Sequence, residues 1–150
     1  MGFSHAALHG ARNCAGQPLS AFLRENGRQT PELALTSYLE AHMATLAKEQ
    51  VRVLFFNAGG DAIADERIWP GTATYVDLSP GELVRHAIAC DSPALLLAHN
   101  HPSGLPQPSK ADVEFTRRLV RLCKELQIRV HDHIIVSRNG SFSFRELGYM

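Results

Sequence analysis

The sequence predicts an α/β (α+β) fold in which a mixed β-sheet is flanked by helices. Two observations lead to this prediction. Helical stripes of apolar residues, spaced by three and four, alternate along the chain with short runs of strand-forming residues. One such run, residues 94–98, is continuously apolar, which is typical of a strand that helices cover on both faces of its sheet. Helices and strands in this order indicate a layered domain.

The chain begins with 29 residues that contain four glycines and show no sustained period. We therefore expect an irregular N-terminal arm over residues 1–29 and a single domain over residues 30–150. The domain opens with a helix, because Thr30 is a good N-cap and Pro31 suits the first turn. This helix is expected to run to about residue 48. Its apolar stripe consists of Leu35, Leu39, Met43 and Leu46.

A β-hairpin is predicted after this helix, because apolar residues alternate from residue 51 and the turn sequence Ala-Gly-Gly-Asp precedes residues 62–69. Residues 72–76 are β-branched and aromatic enough to predict a third strand. Ser79 and Glu82 have the spacing of a capping box and predict the start of a second helix. Its apolar side chains are Leu83, Val84, Ala87, Ile88 and Cys90.

The second half of the chain predicts a strand, a helix and a closing hairpin. The apolar strand at residues 94–99 leads into a loop rich in proline, and a helix follows it. The turn sequence Ser-Arg-Asn-Gly separates strands expected at residues 128–136 and 141–146. The predicted core stripe of the helix consists of Phe115, Leu119, Leu122 and Leu126.

Composition excludes several classes of protein. The chain has 150 residues, 15 of them basic and 15 acidic, so it lacks the overall positive charge of a nucleic-acid binder. Its apolar runs are much shorter than the roughly 20 residues that cross a bilayer, and the start of the chain does not resemble a secretory signal. The three cysteines are far apart, which argues for a reducing compartment and against a cysteine metal site. We expect a cytoplasmic protein.

Two histidines at the end of the apolar strand suggest a metal site. Alternate residues of a strand share a face, so His99 and His101 can present their imidazoles on one side while Asn100 points away. The loop that follows can return Asp112 to the same place. Two imidazole nitrogens and one carboxylate are typical zinc donors, and three protein ligands leave a fourth position open, as catalytic sites require.

Each of these residues also has an ordinary structural explanation. Ser109 followed by Asp112 is a normal helix start, and a single histidine near a strand end usually only packs or forms hydrogen bonds. The combination is more specific: His-x-His-Pro, six residues and then Ser-x-x-Asp resembles the JAMM (MPN+) metalloprotease signature. The fuller string HNHPSG with Pro108 is similar to the RadC-like branch of that family. The resemblance covers roughly residues 49–148, including DHIIV at residues 132–136.

This resemblance implies a JAB/MPN-like layered fold of the cytidine-deaminase-like type. It also implies that His99, His101 and Asp112 hold Zn²⁺ and that the Ser109 hydroxyl assists the oxyanion. The implied function is that of a zinc-dependent metallohydrolase, a peptidase or isopeptidase of the JAMM type, which uses a metal-activated water to cleave a peptide or protein substrate.

Such an enzyme needs a carboxylate, outside the ligand set, that moves the proton. The candidates that we consider among the acidic residues upstream of the histidines are Glu49, Asp65, Glu66, Asp77 and Glu82. Glu82 is explained by the capping box, and the Asp-Glu-Arg run that includes Glu66 looks like the outward side of an edge strand. Glu49 is our first choice, because RadC-like proteins place their catalytic glutamate at a junction between helix and strand. Glu66 is the reserve.

Other interpretations stay open at this point. His131, Asp132 and His133 imitate the metal pair, but we interpret Asp132 and His133 as a hydrogen-bonded structural pair or a support for the site. Residues 1–48 lack the helix-hairpin-helix that longer RadC-like proteins use to bind DNA. The alternatives to a peptidase are a metal-dependent nuclease, a DNA-associated protein and a catalytically silent binding module stabilised by a metal.

Overall fold

The computed structural model describes residues 31–68 and 78–150. The predicted N-terminal arm and the strand predicted at residues 72–76 lie outside these ranges. Within them the chain forms three helices and five strands: α1 (Pro31–Met43), β1 (Val51–Phe56), β2 (Ala62–Ile68), α2 (Pro80–Ala89), β3 (Ala94–Asn100), α3 (Lys110–Glu125), β4 (Arg129–Ser137) and β5 (Gly140–Ser143).

The five strands form one mixed sheet in the order β2-β1-β3-β4-β5. β1 runs antiparallel to both β2 and β3, β3 is parallel to β4, and β4 and β5 form a hairpin. The helix between β3 and β4 is the crossover that a parallel pair requires. The predicted mixed sheet with flanking helices is confirmed.

β3 lies in the middle of the sheet and is buried along its whole length, as its apolar sequence predicts. On one face, Leu95 and Leu97 belong to the cluster that contains the apolar side chains of α2 and α3. On the other face, Leu96 and Ala98 belong to the cluster that contains α1. The sheet is therefore the middle layer of three. No helix in the described ranges is both long and apolar enough to cross a membrane.

Two predicted stripes are only partly correct. Leu119 is buried in α3, but Leu126 is 47% exposed because the helix ends at this residue, its C-cap. Cys123 takes the core position instead, and burial raises the pKa of its thiol to about 11. In α2, Leu83, Val84 and Ala87 are buried, whereas Ile88 is 62% exposed.

The first helix ends at Met43 and not near residue 48. The segment that follows it is held by hydrogen bonds to the buried side chain of Asn100. The side-chain amide of Asn100 donates to the carbonyl oxygens of Lys48 (3.0 Å) and Leu46 (3.5 Å). Its oxygen accepts from the backbone N–H of Gln50 at 2.6 Å. One side chain thus satisfies three backbone groups of the segment that leads into β1.

The charged residues of β2 do not point outward, so that interpretation was wrong. Glu66 is only 9% exposed, and its carboxylate lies 2.9 Å from Nδ1 of His86 on α2. Asp65 accepts a hydrogen bond from the Tyr38 hydroxyl and lies 3.4 Å from Nε of the buried Arg52. The last strand is also shorter than predicted: β5 ends at Ser143.

Replacing Asn100 by alanine should lower the free energy of unfolding by at least about 2 kcal/mol, because buried backbone groups lose their partners. Asn57→Ala is the matched control: this asparagine bonds the backbone N–H of Asp61 in an exposed turn, and its loss should cost less than about 1 kcal/mol. Urea unfolding followed by circular dichroism measures both. Equal costs for the two variants would show that the Asn100 contacts do not hold residues 46–50.

Candidate metal site

The candidate site lies where three parts of the chain meet at the C-terminal end of β3. Val51 pairs with His99 across the antiparallel β1–β3 ladder, so the residues before Val51 run alongside the residues after His99. This register places Glu49 beside the histidines. The loop after β3 returns to the same place at the start of α3, which brings in Asp112. The elements at this end of the sheet thus supply two imidazoles and two carboxylates.

The two histidines face each other, as their spacing predicts. His99 is fully buried, and its Nε2 lies 2.9 Å from Nε2 of the less buried His101. Nδ1 of His101 lies 2.9 Å from the carbonyl oxygen of Leu105. Because a carbonyl oxygen only accepts, Nδ1 of His101 carries the proton and its Nε2 presents a lone pair to the site.

Asp112 reaches both imidazoles. Its Oδ1 is 3.4 Å from Nε2 of His99 and its Oδ2 is 3.5 Å from Nε2 of His101. Burial would raise the pKa of the Asp112 carboxyl, but its interaction with the nearby His99, together with hydrogen bonds from Ser109, holds this pKa well below its usual range. The carboxylate is therefore ionised at neutral pH although it is almost completely buried.

Glu49 approaches from the solvent side. Its Oε1 lies 3.9 Å from Nε2 of His99, and its side chain is 42% exposed. One ligand atom from each of Glu49, His99 and His101 lies within 4.8 Å of the other two, a spacing that could hold a metal ion. Two carboxylates of different exposure thus flank the same pair of histidines.

The donor set fits a small divalent cation. Zinc bonds of about 2.0–2.2 Å at tetrahedral angles place neighbouring donor atoms about 3.3–3.6 Å apart. In this structure Asp112 lies 3.4 Å from Nε2 of His99 and 3.5 Å from Nε2 of His101, both within this range. The two Nε2 atoms, 2.9 Å apart, lie closer than this range, so they would have to separate slightly around the ion. An ionised carboxylate and the Nε2 lone pair of His101 converge here, and a cation between them would offset their mutual repulsion.

A third histidine supports His99 from behind. His133 is fully buried, and its Nε2 lies 2.8 Å from Nδ1 of His99. Its Nδ1 lies 2.6 Å from Oγ1 of Thr116, which donates to the carbonyl oxygen of Asp112 at 2.7 Å. Burial, together with the neighbouring His99, lowers the pKa of His133 well below its usual range, so the ring is neutral.

Asp132 and His133 are hydrogen-bonded to each other, as the sequence suggested, but through the backbone N–H of His133 and not through its ring. The Asp132 carboxylate accepts hydrogen bonds from the Ser143 hydroxyl and from the backbone N–H groups of His133 and Arg145. The His133 ring turns to the opposite side, toward His99. The ring of His131 contacts Phe56 edge to face and not the rings of His99 and His133. Only His133 of this triplet supports the site.

Ser109 is the N-cap of α3. Its hydroxyl oxygen accepts from the backbone N–H of Asp112 at 3.1 Å, and Asp112 Oδ2 accepts from the backbone N–H of Ser109 at 2.7 Å. This capping box holds the Asp112 carboxylate in place. Because the cap uses the hydroxyl oxygen as an acceptor, its hydrogen is available as a donor. The proposed oxyanion role of Ser109 stays a prediction.

The other acidic residues considered as proton carriers lie elsewhere. Glu66 is on β2, which β1 separates from β3, and it bonds His86. Glu82 forms the predicted capping box with Ser79, and Asp65 bonds Tyr38. Asp77 lies outside the described residues. Among the described candidates, the position of Glu49 beside His99 makes it the one that the geometry supports.

The sequence predicts no role for Thr116 and indicates of Asn100 only that it points away from the histidines. In the structure both make buried hydrogen bonds next to the site. Thr116 lies four residues after Asp112, inside the apolar stripe of α3, and Asn100 ends an otherwise apolar strand. Both are completely buried polar residues. A polar residue at a position that the period assigns to the core is a usable signal, because it needs a specific partner there.

A family model described as RadC-like JAB domain matches residues 29–149. The match spans every described helix and strand, from α1 to β5. It also includes the five residues predicted for the site: Glu49, His99, His101, Ser109 and Asp112.

The purified protein should bind about one zinc ion per chain, and the double variant His99→Ala, His101→Ala should bind none. Elemental analysis after dialysis against limited zinc gives the stoichiometry. His86→Ala is the control, because this histidine bonds Glu66 away from the site and its loss should leave zinc content unchanged. Full occupancy in the double variant would falsify the site. Loss of stability alone is not decisive, since metal binding and folding are coupled.

Proposed function

The chain belongs to the RadC-like JAB domain family, and we propose that it is a zinc-dependent peptidase or isopeptidase. The observation that carries the proposal is the convergence of two imidazoles, one buried carboxylate and one half-exposed carboxylate at the end of β3. A buried donor set with an exposed acid beside it combines a place for a cation with a group that can exchange protons with solvent.

We assign His99, His101 and Asp112 as the ligands. Asp112 suits this role because it is ionised, nearly buried and held by the capping box. Glu49 suits it less, because its side chain is partly in solvent and lies farther from His99. A zinc ion held by these residues would polarise the scissile carbonyl and activate a water molecule for attack.

Glu49 is the proposed general base and acid. In this role its carboxylate takes the proton of the attacking water and delivers it to the nitrogen of the leaving amine. The placement supports this assignment: the segment that carries Glu49 is anchored on both sides by Asn100, while the carboxylate itself points to the exposed side of the histidines. Such a group is positioned by the fold and still accessible to substrate.

Ser109 is the proposed oxyanion donor. Its hydroxyl oxygen is fixed at the start of α3 by the N–H of Asp112, so its hydrogen can be directed at the oxygen of a bound carbonyl. The N-terminus of a helix adds partial positive charge at the same place. Both effects favour the negative charge that develops during hydrolysis of an amide.

A peptide or protein substrate is proposed in preference to nucleic acid. The chain has no net charge, so it lacks the overall positive charge that favours binding of a phosphodiester backbone. A silent binding module is the other alternative. Against it, all five positions of the catalytic pattern carry the required residue types.

Glu49→Gln should keep zinc and lose peptide hydrolysis by roughly 100-fold to 10,000-fold, because the amide cannot carry the proton. Glu66→Gln is the matched control: it changes a more deeply buried glutamate that bonds His86, and the hydrolysis rate per folded molecule should stay near that of the wild type. Mass spectrometry of a peptide library incubated with each zinc-loaded protein gives the rates. An active Glu49→Gln variant would remove Glu49 from the mechanism.

Ser109→Ala and Ser79→Ala form a matched pair, since both serines are N-caps with complete capping boxes. Each change should cost about 1 kcal/mol of stability. Only Ser109→Ala should also lower turnover, by roughly 100-fold, because it removes a donor to the oxyanion. Unfolding curves and turnover per folded molecule separate the two effects. Equal turnover in the two variants would reduce Ser109 to a helix cap.

A further inference from the structure

We propose that Thr116 and His133 form a proton-directing relay that sets the tautomer of His99 and thereby makes its Nε2 the coordinating atom. Both are positioning residues: they act on the metal site through His99 and touch neither substrate nor the proposed metal. The inference rests on the proposed ligand role of His99 and adds how that role is enforced.

The direction of the relay follows from Thr116. Its hydroxyl has one hydrogen and lies 2.7 Å from the carbonyl oxygen of Asp112, one turn earlier in α3. A carbonyl oxygen only accepts, so the hydrogen of Thr116 points to it. Oγ1 of Thr116 must then act as the acceptor in its second contact, at 2.6 Å from Nδ1 of His133. The proton of His133 is therefore on Nδ1.

The same logic passes through His133 to His99. A neutral imidazole with its proton on Nδ1 has a lone pair on Nε2. Nε2 of His133 lies 2.8 Å from Nδ1 of His99, so Nδ1 of His99 is the donor. The only ring nitrogen of His99 left to coordinate a metal is Nε2, which faces His101 and Asp112.

The relay closes a ring of contacts within the protein. It begins at the backbone carbonyl of Asp112, passes through Thr116 and His133 to His99, and returns to the Asp112 carboxylate, 3.4 Å from Nε2 of His99. Stacking of Phe144 on His133, with the rings 4.5 Å apart and 8° from parallel, fixes the ring plane. One chain of hydrogen bonds thus runs from the backbone of Asp112 to the ring of His99, and it orients the His99 ring.

Removing the Thr116 hydroxyl should reverse the relay. In Thr116→Val the Nδ1–H of His133 loses its acceptor, which favours the tautomer with the proton on Nε2. That proton would face Nδ1 of His99, and His99 could accept it only by moving its own proton to Nε2. The coordinating lone pair would then be lost, and zinc affinity should fall by about 10-fold to 100-fold, the usual effect of losing a group that orients a metal-binding histidine.

Nitrogen-15 NMR of the imidazoles tests the tautomers directly and does not depend on activity. In the metal-free and the zinc-loaded wild type, His133 should carry its proton on Nδ1 and a lone pair on Nε2, and Nδ1 of His99 should be protonated. Assignment uses His133→Gln and His99→Ala. A proton on Nε2 of His133 in the wild type would overturn the proposal. Because this measurement is made on the wild-type protein, its outcome does not depend on whether the Thr116→Val variant folds.

Zinc affinity, measured by competition with a chromophoric chelator, tests the consequence. Thr116→Val should bind zinc more weakly, while Thr116→Ser, which keeps the hydroxyl, should restore wild-type affinity. Ser92→Ala is the control for losing a buried hydroxyl, because Ser92 bonds the carbonyl oxygens of Phe56 and Ala94 at the far end of β3. Its affinity should be unchanged. Equal affinity in Thr116→Val and the wild type would overturn the relay.

The relay and the proposed peptidase function can fail separately. If the tautomers and zinc affinities are as expected and no peptide is cleaved, the relay stands and the proposed peptidase function does not. Should peptides be cleaved while His133 carries its proton on Nε2, the function stands and the relay does not.

Discussion

The pairing of β3 with an antiparallel strand on one side and a parallel strand on the other is the constraint on which the site depends. His99 is opposite Val51 in β1 and Ile135 in β4. The antiparallel partner brings in the residues that precede it, which include Glu49. The parallel partner brings His133, two residues before Ile135 and therefore on the same face. One imidazole thus meets a carboxylate from one neighbour and a second imidazole from the other.

Burial makes these contacts selective. In a low-dielectric interior an unsatisfied polar group costs about 1–3 kcal/mol, so buried donors and acceptors must match in direction as well as in position. Asn100, Thr116 and His133 are all completely buried, and each connects parts of the chain that are far apart or belong to different elements. Stability and the geometry of the site therefore depend on the same side chains.

The two capping boxes show how location decides the use of a common motif. Ser79 with Glu82 and Ser109 with Asp112 make the same reciprocal hydrogen bonds at the starts of α2 and α3. Only α3 begins at the C-terminal end of β3, where two imidazoles meet its first turn. There the acid of the cap becomes an ionised, buried carboxylate beside nitrogen donors. Within the described part of the chain, the Glu82 carboxylate bonds only the backbone N–H of Ser79.

The sequence by itself determined the features that depend on near neighbours in the chain. The spacing of His99 and His101, the capping boxes, the buried strand and the mixed sheet follow from periods and caps that act over a few residues. The family resemblance favoured Glu49, but only the tertiary structure decided which acid lies beside His99. Glu49 precedes β1, the neighbour of β3, whereas Glu66 lies on β2, one strand farther away. The tertiary structure also decided the early end of α1, the inward turn of Glu66 and the contact of His133 with His99. Such contacts join residues 20 to 54 positions apart, so they depend on packing that no local pattern records.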